Sequence, residues 1–356
     1  MPVAVAPLEI DGHNRTESQW LFTEEELLQS PSILEGLPAE KERENRSKGV
    51  NFIVQVGIML RLPQITLTTA AIFLHRFYMR CAMPAPKNNE TGYHYYAIAA
   101  TSIFLATKVE ENCRKMKELV VACVRVAQKA PYKVVDEQDK EYWRWRDNIL
   151  VNEDILLEML CFDLRLDPPY KVLYDVLLAY GEEEHKKLRN AAWSFISDSC
   201  LTTLCLLFPS RTIAASALYA AARHSDVALP DDEHGRPWWD TINVQLKDIN
   251  KACKYMGDVY RSSSVKGAQE PSIYDDATSE LNYDSDITRL KNRYSSYPNV
   301  SSSGAASPSL KRAFEPSGGY ESLLEVEKGR TENGDNESKR QRLIDENEPD
   351  FESNQL

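Results

Sequence analysis

The chain has 356 residues, 42% of them hydrophobic and 27% charged, enough for two domains with buried cores. Its formal net charge of −12 argues against a dominant nucleic-acid-binding surface, because neutralising phosphates needs clustered Lys and Arg. The apolar stretches are too short to span a bilayer, no secretory signal is legible at the start, and seven scattered Cys without a C-x-x-C pair fit reduced thiols inside a cell.

Residues 1–17 read as disordered. Thr23 with Glu26 three positions later is a capping-box signature, so a short helix is expected from about Glu24 until Pro31 stops it. Val50, Ile53, Val54, Gly57 and Leu60 recur at helical spacing up to Pro63. Thr66 is the expected cap of the next helix, which carries Ala70, Phe73, Leu74, Phe77 and Cys81 and stops before Pro84. Further helices are predicted over residues 93–109, from Met116 past Val124, up to Leu160, and, after the break at Pro168 and Pro169, over 170–180, 184–206, 210–224 and 246–260. Only residues 132–137 offer a weak strand pattern. The chain is therefore expected to be all-α.

An internal repeat supports duplication. Residues 97–108 (AIAATSIFLATK) align without gaps to residues 212–223 (TIAASALYAAAR). Helices this rich in Ala and Ser let neighbours approach closely, which suits the central helix of a small bundle. Two such helices, each within about five helical segments, predict two related five-helix domains. The composition then breaks. Residues 262–356 hold no Trp or Cys, 17 Ser, and 18 acids against 11 Lys plus Arg. Such a segment cannot bury enough apolar surface to offset its ordering entropy, so a disordered, Ser-rich acidic tail is expected.

Catalytic and metal signatures are not legible. His75, His94, His185, His224 and His234 are dispersed without ligand spacing, and no P-loop, G-x-G-x-x-G or G-x-S-x-G occurs. No cofactor and no metal are expected. Trp143 and Trp145 flank Arg144 and read as an insertion packing against the first domain, and Trp238 and Trp239 as a packing anchor of the second. In the tail, Lys339, Arg340 and Arg342 are a candidate nuclear-localisation cluster, and Ser307 before Pro308 a candidate phosphosite. On spacing alone, Lys108 and Glu153 read as a helix-end ion pair, with the leucines near them as core.

Six stretches, in order, resemble the cyclin family over residues 18–260, with closest likeness to transcriptional cyclins of the T and K type. They are 20–32 (WLFTEEELLQSPS), 68–79 (TTAAIFLHRFYM), 105–111 (LATKVEE), 162–164 (FDL), 192–204 (AWSFISDSCLTTL) and 236–240 (RPWWD). The resemblance implies tandem cyclin boxes: an N-terminal box with its leading helix over 18–165 and a C-terminal box over 166–261. It implies a non-catalytic regulatory subunit that forms a heterodimer with a cyclin-dependent kinase. Lys108 and Glu153 would grip one end of the kinase's regulatory helix, and Leu105, Val109, Leu157, Phe162 and Leu164 would form the apolar floor beneath it. The kinase, not this chain, would bind ATP and Mg²⁺. The implied substrate is the C-terminal domain of RNA polymerase II, in the nucleus, during elongation, with no membrane and no direct nucleic-acid contact. A cyclin-box scaffold like general transcription factor B is the alternative, against which the acidic balance and the missing Cys ribbon speak. One departure stands out. Cell-cycle cyclins carry an apolar docking patch on the first helix, but here Gly49 stands in place of a Leu and Phe52 in place of a Trp, so Arg-x-Leu peptides are not expected to dock.

Overall fold

The computed structural model describes residues 18–85, 92–232, 234–263 and 288–290. These are mostly helical, with almost no strand, as expected. A 3-10 turn at Ser18–Trp20 precedes α1 (Glu24–Leu27). The capping box forms in full: the Glu26 amide donates to Thr23 Oγ1 at 3.2 Å, and the Thr23 amide donates to Glu26 Oε2 at 2.7 Å. Pro31, expected only to stop this helix, also opens α2 (Pro31–Leu34), because at the first helical position its missing N–H costs nothing.

The first bundle contains α3 (Ala39–Leu60), α4 (Gln64–Phe77), α5 (Tyr95–Val109), α6 (Met116–Ala127) and α7 (Lys140–Met159). The second contains α8 (Pro169–Tyr180), α9 (Lys186–Ser199), α10 (Leu204–Leu207), α11 (Ser210–Ser225) and α12 (Leu246–Ser263). The two members of the sequence repeat occupy the same place in each. Helix α5 is packed by α3, α4, α6 and α7, and α11 by α8, α9, α10 and α12. Small side chains make this possible: Ala99, Ala100, Ser102 and Ala106 are buried on α5, as are Ala214, Ala215, Ser216 and Ala220 on α11.

The helix expected over 184–206 is two helices. Hydroxyls compete with the backbone at the break: Ser199 Oγ donates to the Ile196 carbonyl at 2.7 Å, and Thr202 Oγ1 accepts from the Leu204 amide at 3.2 Å. Thr66 lies inside α4 rather than at its cap, where Pro63 stands, and its hydroxyl instead accepts from Asn112 Nδ2 at 3.1 Å. Residues 132–137 form turns and coil, not a strand. Side chains take their carbonyls, with Arg125 Nε on Lys133 at 2.9 Å and Trp143 Nε1 on Glu137 at 2.6 Å.

The bundles meet along α4. His75 is fully buried, and its Nε2 donates to the Cys200 carbonyl at 2.9 Å, which fixes the tautomer because a carbonyl only accepts. Burial, with the Arg46 guanidinium nearby, pushes the His75 imidazole down to about 3. Gln64 Nε2 reaches Tyr170 Oη at 3.3 Å, and the Phe22 amide donates to the Leu206 carbonyl at 2.7 Å, so the leading segment spans both bundles.

The composition-based boundary at residue 261 is displaced. Helix α12 runs to Ser263, and residues 288–290 of the supposed tail return to the second bundle, where β2 (Arg289–Leu290) pairs in parallel with β1 (Leu229–Pro230). The remaining tail positions, Ser307, Lys339, Arg340 and Arg342 among them, and residues 1–17 lie outside the described residues.

Candidate functional site

Lys108 closes α5 and Glu153 projects from the middle of α7. Their side chains meet at 2.6 Å, with Lys108 44% exposed and Glu153 14% exposed. Lys108 Nζ also sits 3.9 Å from the centroid of the Phe104 ring, one turn back on its own helix. The pair is therefore held from both sides while the ammonium still reaches water. The turn after α5 is fastened to α4: Thr69 Oγ1 donates to Glu110 Oε1 at 2.7 Å, and Asn112 Nδ2 donates to Thr66 Oγ1 at 3.1 Å. These bonds fix the end of α5 from which Lys108 reaches Glu153.

The end of α7 supplies the apolar part. Cys161 and Phe162 both adopt left-handed backbone conformations, at φ 53° and 56°. For residues with a Cβ each costs about 1–2 kcal/mol. The consequence is that Phe162 stands 70% exposed. The next residue holds the turn in place: Asp163 Oδ2 accepts from Trp20 Nε1 at 2.9 Å and from Gln19 Nε2 at 2.7 Å. Arg76 approaches the same carboxylate at 3.9 Å and lies over the Trp20 ring at 4.9 Å. The leading segment thus braces the turn that displays Phe162.

The five residues expected to form an apolar floor differ in burial. Val109, Leu157 and Leu164 are half-buried against the core of the first bundle, whereas Phe162 is exposed. Leu105 is only 3% exposed and belongs to the core, because α5 is enclosed by its neighbours up to its last turn. Leu150, three residues before Glu153, is 38% exposed and extends the same face of α7. Sequence reasoning passed over Phe104, Leu150 and Trp20. The i, i+4 spacing of Phe104 and Lys108 and the helical register of Leu150 were signals for the first two. Trp20 meets Asp163 across 143 residues, which no local pattern announces.

The first-helix departure has a different cause from the one the sequence suggested. Gly49 faces inward: a Cβ there would meet Leu74 Cδ1 at 3.2 Å, so Gly49 lets α3 approach α4 and lines no groove. Phe52 is buried, stacked on Tyr96 at 4.8 Å and on Trp145 at 5.8 Å between centroids, so the Trp145 region covers that face. Arg46 is a core residue whose guanidinium pairs with Glu42 and donates to the His75 carbonyl at 2.8 Å. Trp238 and Trp239 are buried and pack on each other at 5.3 Å, anchoring the second bundle. Among the described residues no group of three or more His, Cys, Asp or Glu gathers as a metal site, and no helix is long and apolar enough to cross a membrane.

Two tandem five-helix bundles, with a braced charged pair and a displayed aromatic on the first, define a helical box protein whose distinctive chemistry lies on an outer surface. The family model "Cyclin, N-terminal domain" matches residues 18–165. Cyclin pch1 of Schizosaccharomyces pombe is 41% identical over 249 residues, which cover 70% of this chain and 70% of that protein. Cyclin-T1-5 of Arabidopsis thaliana is 32% identical over 274 residues, covering 74% of this chain but 45% of that longer protein. A chain of the crystal structure of "the yeast RNA Pol II CTD kinase CTDK-1 complex" superposes with a TM-score of 0.56 at 17% identity, over 68% of this chain and 73% of that one, a likeness of fold. This chain belongs to the cyclin family. Cyclins are regulatory subunits of kinases, and membership supports a non-catalytic role.

Proposed function

We propose that this chain is the regulatory subunit of a cyclin-dependent kinase that acts in transcription and phosphorylates the C-terminal domain of RNA polymerase II in the nucleus. The observation that carries the reading is the Lys108–Glu153 pair at 2.6 Å, with a 70% exposed Phe162 in the turn that follows α7. A kinase needs its strand Lys paired with the Glu of its regulatory helix before phosphoryl transfer is positioned. A surface that binds the active placement of that helix better than the inactive one shifts the equilibrium by its differential affinity. Lys108 offers up to three donors for carbonyls at the end of such a helix, and Glu153 accepts from Lys108 and from backbone N–H groups. Val109, Leu157, Phe162 and Leu164 supply the apolar contact, with Leu105 as the core layer beneath. The similarity to cyclins of the T type supports the transcriptional assignment.

The test is reconstitution. Affinity purification of the tagged chain should recover a cyclin-dependent kinase. The complex should phosphorylate a polymerase repeat peptide, and the chain alone should not. Phosphorylation by the chain alone, or recovery of polymerase and promoter DNA without a kinase, would overturn the reading.

A further inference from the structure

The return of residues 288–290 to the second bundle is more specific than a chance contact. Arg289 Nε and Nη2 donate to Asp231 Oδ1 and Oδ2, each at 2.8 Å, a bidentate pair whose side chains are only 5% and 3% exposed. The same guanidinium lies 5.7 Å from the Trp239 ring centroid and 3.4 Å from the Gly235 carbonyl. The main chains pair as well: the Leu229 amide donates to the Thr288 carbonyl at 2.9 Å, and the Asp231 amide to the Leu290 carbonyl at 3.1 Å. Pro230 falls between these two donors, at the position of a parallel edge whose N–H points away, so it removes no bond. Thr288 is fully buried, whereas Leu290 is 55% exposed.

The loop beside Asp231 and the ring of Trp239 are each braced by groups other than Arg289. Asp232 folds its own loop, accepting from the His234 amide at 2.9 Å and the Arg236 amide at 2.7 Å on Oδ1, and from Arg236 Nε at 2.7 Å on Oδ2. Trp239 is set by Trp238 and by the Tyr219 ring of α11 at 6.4 Å. A carboxylate, an aromatic face and two aligned backbone donors read an extended peptide by strand addition, with Arg as the specific side chain.

We propose that the crease formed by Leu229, Asp231, Gly235 and Trp239 is a docking slot for extended peptides carrying Thr-Arg, and that residues 288–290 are its intrachain occupant. This slot is separate from the Lys108–Glu153 surface and does not rest on the kinase reading. A tethered occupant has an effective concentration on the order of millimolar, so a peptide that binds the open slot at about 10 µM is held off roughly 100-fold. A partner bearing the same motif gains access when the intrachain segment is released.

The experiment uses the full chain and a fluorescein-labelled peptide of residues 283–294 (YDSDITRLKNRY), followed by polarisation. Arg289→Ala should open the slot, and the peptide should bind at least tenfold tighter than to the unaltered chain. Adding Asp231→Asn to that variant should abolish the gain, as should replacing Arg by Ala in the peptide. Arg289→Lys keeps the cation but not the fork, so it should open the slot partway and serves if the Ala variant folds poorly. If neither Arg289 variant binds the peptide more tightly than the unaltered chain, or if the Asp231→Asn double variant binds as well as the single one, the slot reading is overturned and the contact is a strap only.

Discussion

The central helices of the two bundles carry the same device and put it to different ends. Lys108 on α5 aligns with Arg223 on α11, and each lies over the aromatic ring four residues before it: Lys108 over Phe104 at 3.9 Å, Arg223 over Tyr219 at 5.7 Å. In the first bundle the cation is 44% exposed and meets Glu153 from the neighbouring helix. In the second, Arg223 is 8% exposed, and its Nη1 contacts Tyr219 Oη at 3.3 Å within the core. Duplication supplied two equivalent helix ends. The first is left exposed, and the second is built into its own bundle. A positive residue at the end of an Ala-rich helix is therefore available to a partner only where the surrounding helices leave it exposed.

The comparison breaks most sharply by exchange of roles. Glu153→Ala should weaken kinase binding by about 2–5 kcal/mol, much of it from leaving the partner charge unpaired, with little change in the thermal midpoint. Arg223→Ala should do the reverse, lowering stability by about 2–4 kcal/mol through a lost core contact and a cavity, with affinity intact. Calorimetric titration against the kinase, together with thermal melts, separates the two. Equal losses of affinity would erase the distinction.

The contact between the bundles predicts an acid limit. The unfolded His75 titrates near its ordinary value of 6.5, and the folded one near about 3. Between these values the unfolded chain binds more protons than the folded one, so stability is full above pH 6.5 and is lost as pH falls towards 3. By pH 5 this group alone should cost roughly 2 kcal/mol. His94, pushed down to about 4 by burial, adds loss of the same sign. Denaturant melts of His75→Gln from pH 7 to 4.5 should show a shallower acid slope than the unaltered chain, and parallel slopes would remove His75 from the account.

Phe162 sharpens the comparison from the apolar side. Phe162→Ala should reduce kinase affinity by about 1.5–3 kcal/mol, the value of a buried aromatic contact, and leave folding unharmed because the ring is already in water. Phe162→Gly should lose the same affinity while raising stability by about 1 kcal/mol, since glycine has no penalty at φ 56°. A stability loss in both variants would show that the ring packs inward.

The smallest effect concerns the free protein. Because Lys108 is half exposed, Lys108→Ala should change the stability of the unbound chain by about 1 kcal/mol at most. A labelled Arg-x-Leu peptide should also fail to bind saturably at low micromolar concentration to the first bundle, where Phe52 is covered by Tyr96 and Trp145. Saturable binding there would show that this covering opens.

Most of the helices and the duplication were legible because they rest on local chemistry. Apolar residues at helical spacing, Pro63 and Pro168 as stops, the Thr23–Glu26 cap and the small-residue repeat act within a few turns of chain. The pairing of Lys108 with Glu153 was legible from their places on the helices. What the chain could not announce were contacts between distant residues. Exposure decided that Leu105 is core and Leu150 surface, and that Lys108 is open where Arg223 is closed. Close packing decided that Gly49 serves a helix crossing and that Arg46 is a core anchor. The Trp20–Asp163 brace and the Arg289–Asp231 clasp, 143 and 58 residues apart, depend on loop closures that leave no periodic trace in sequence. Local pattern fixes which elements form; which of their faces meet water is settled only when the bundles close.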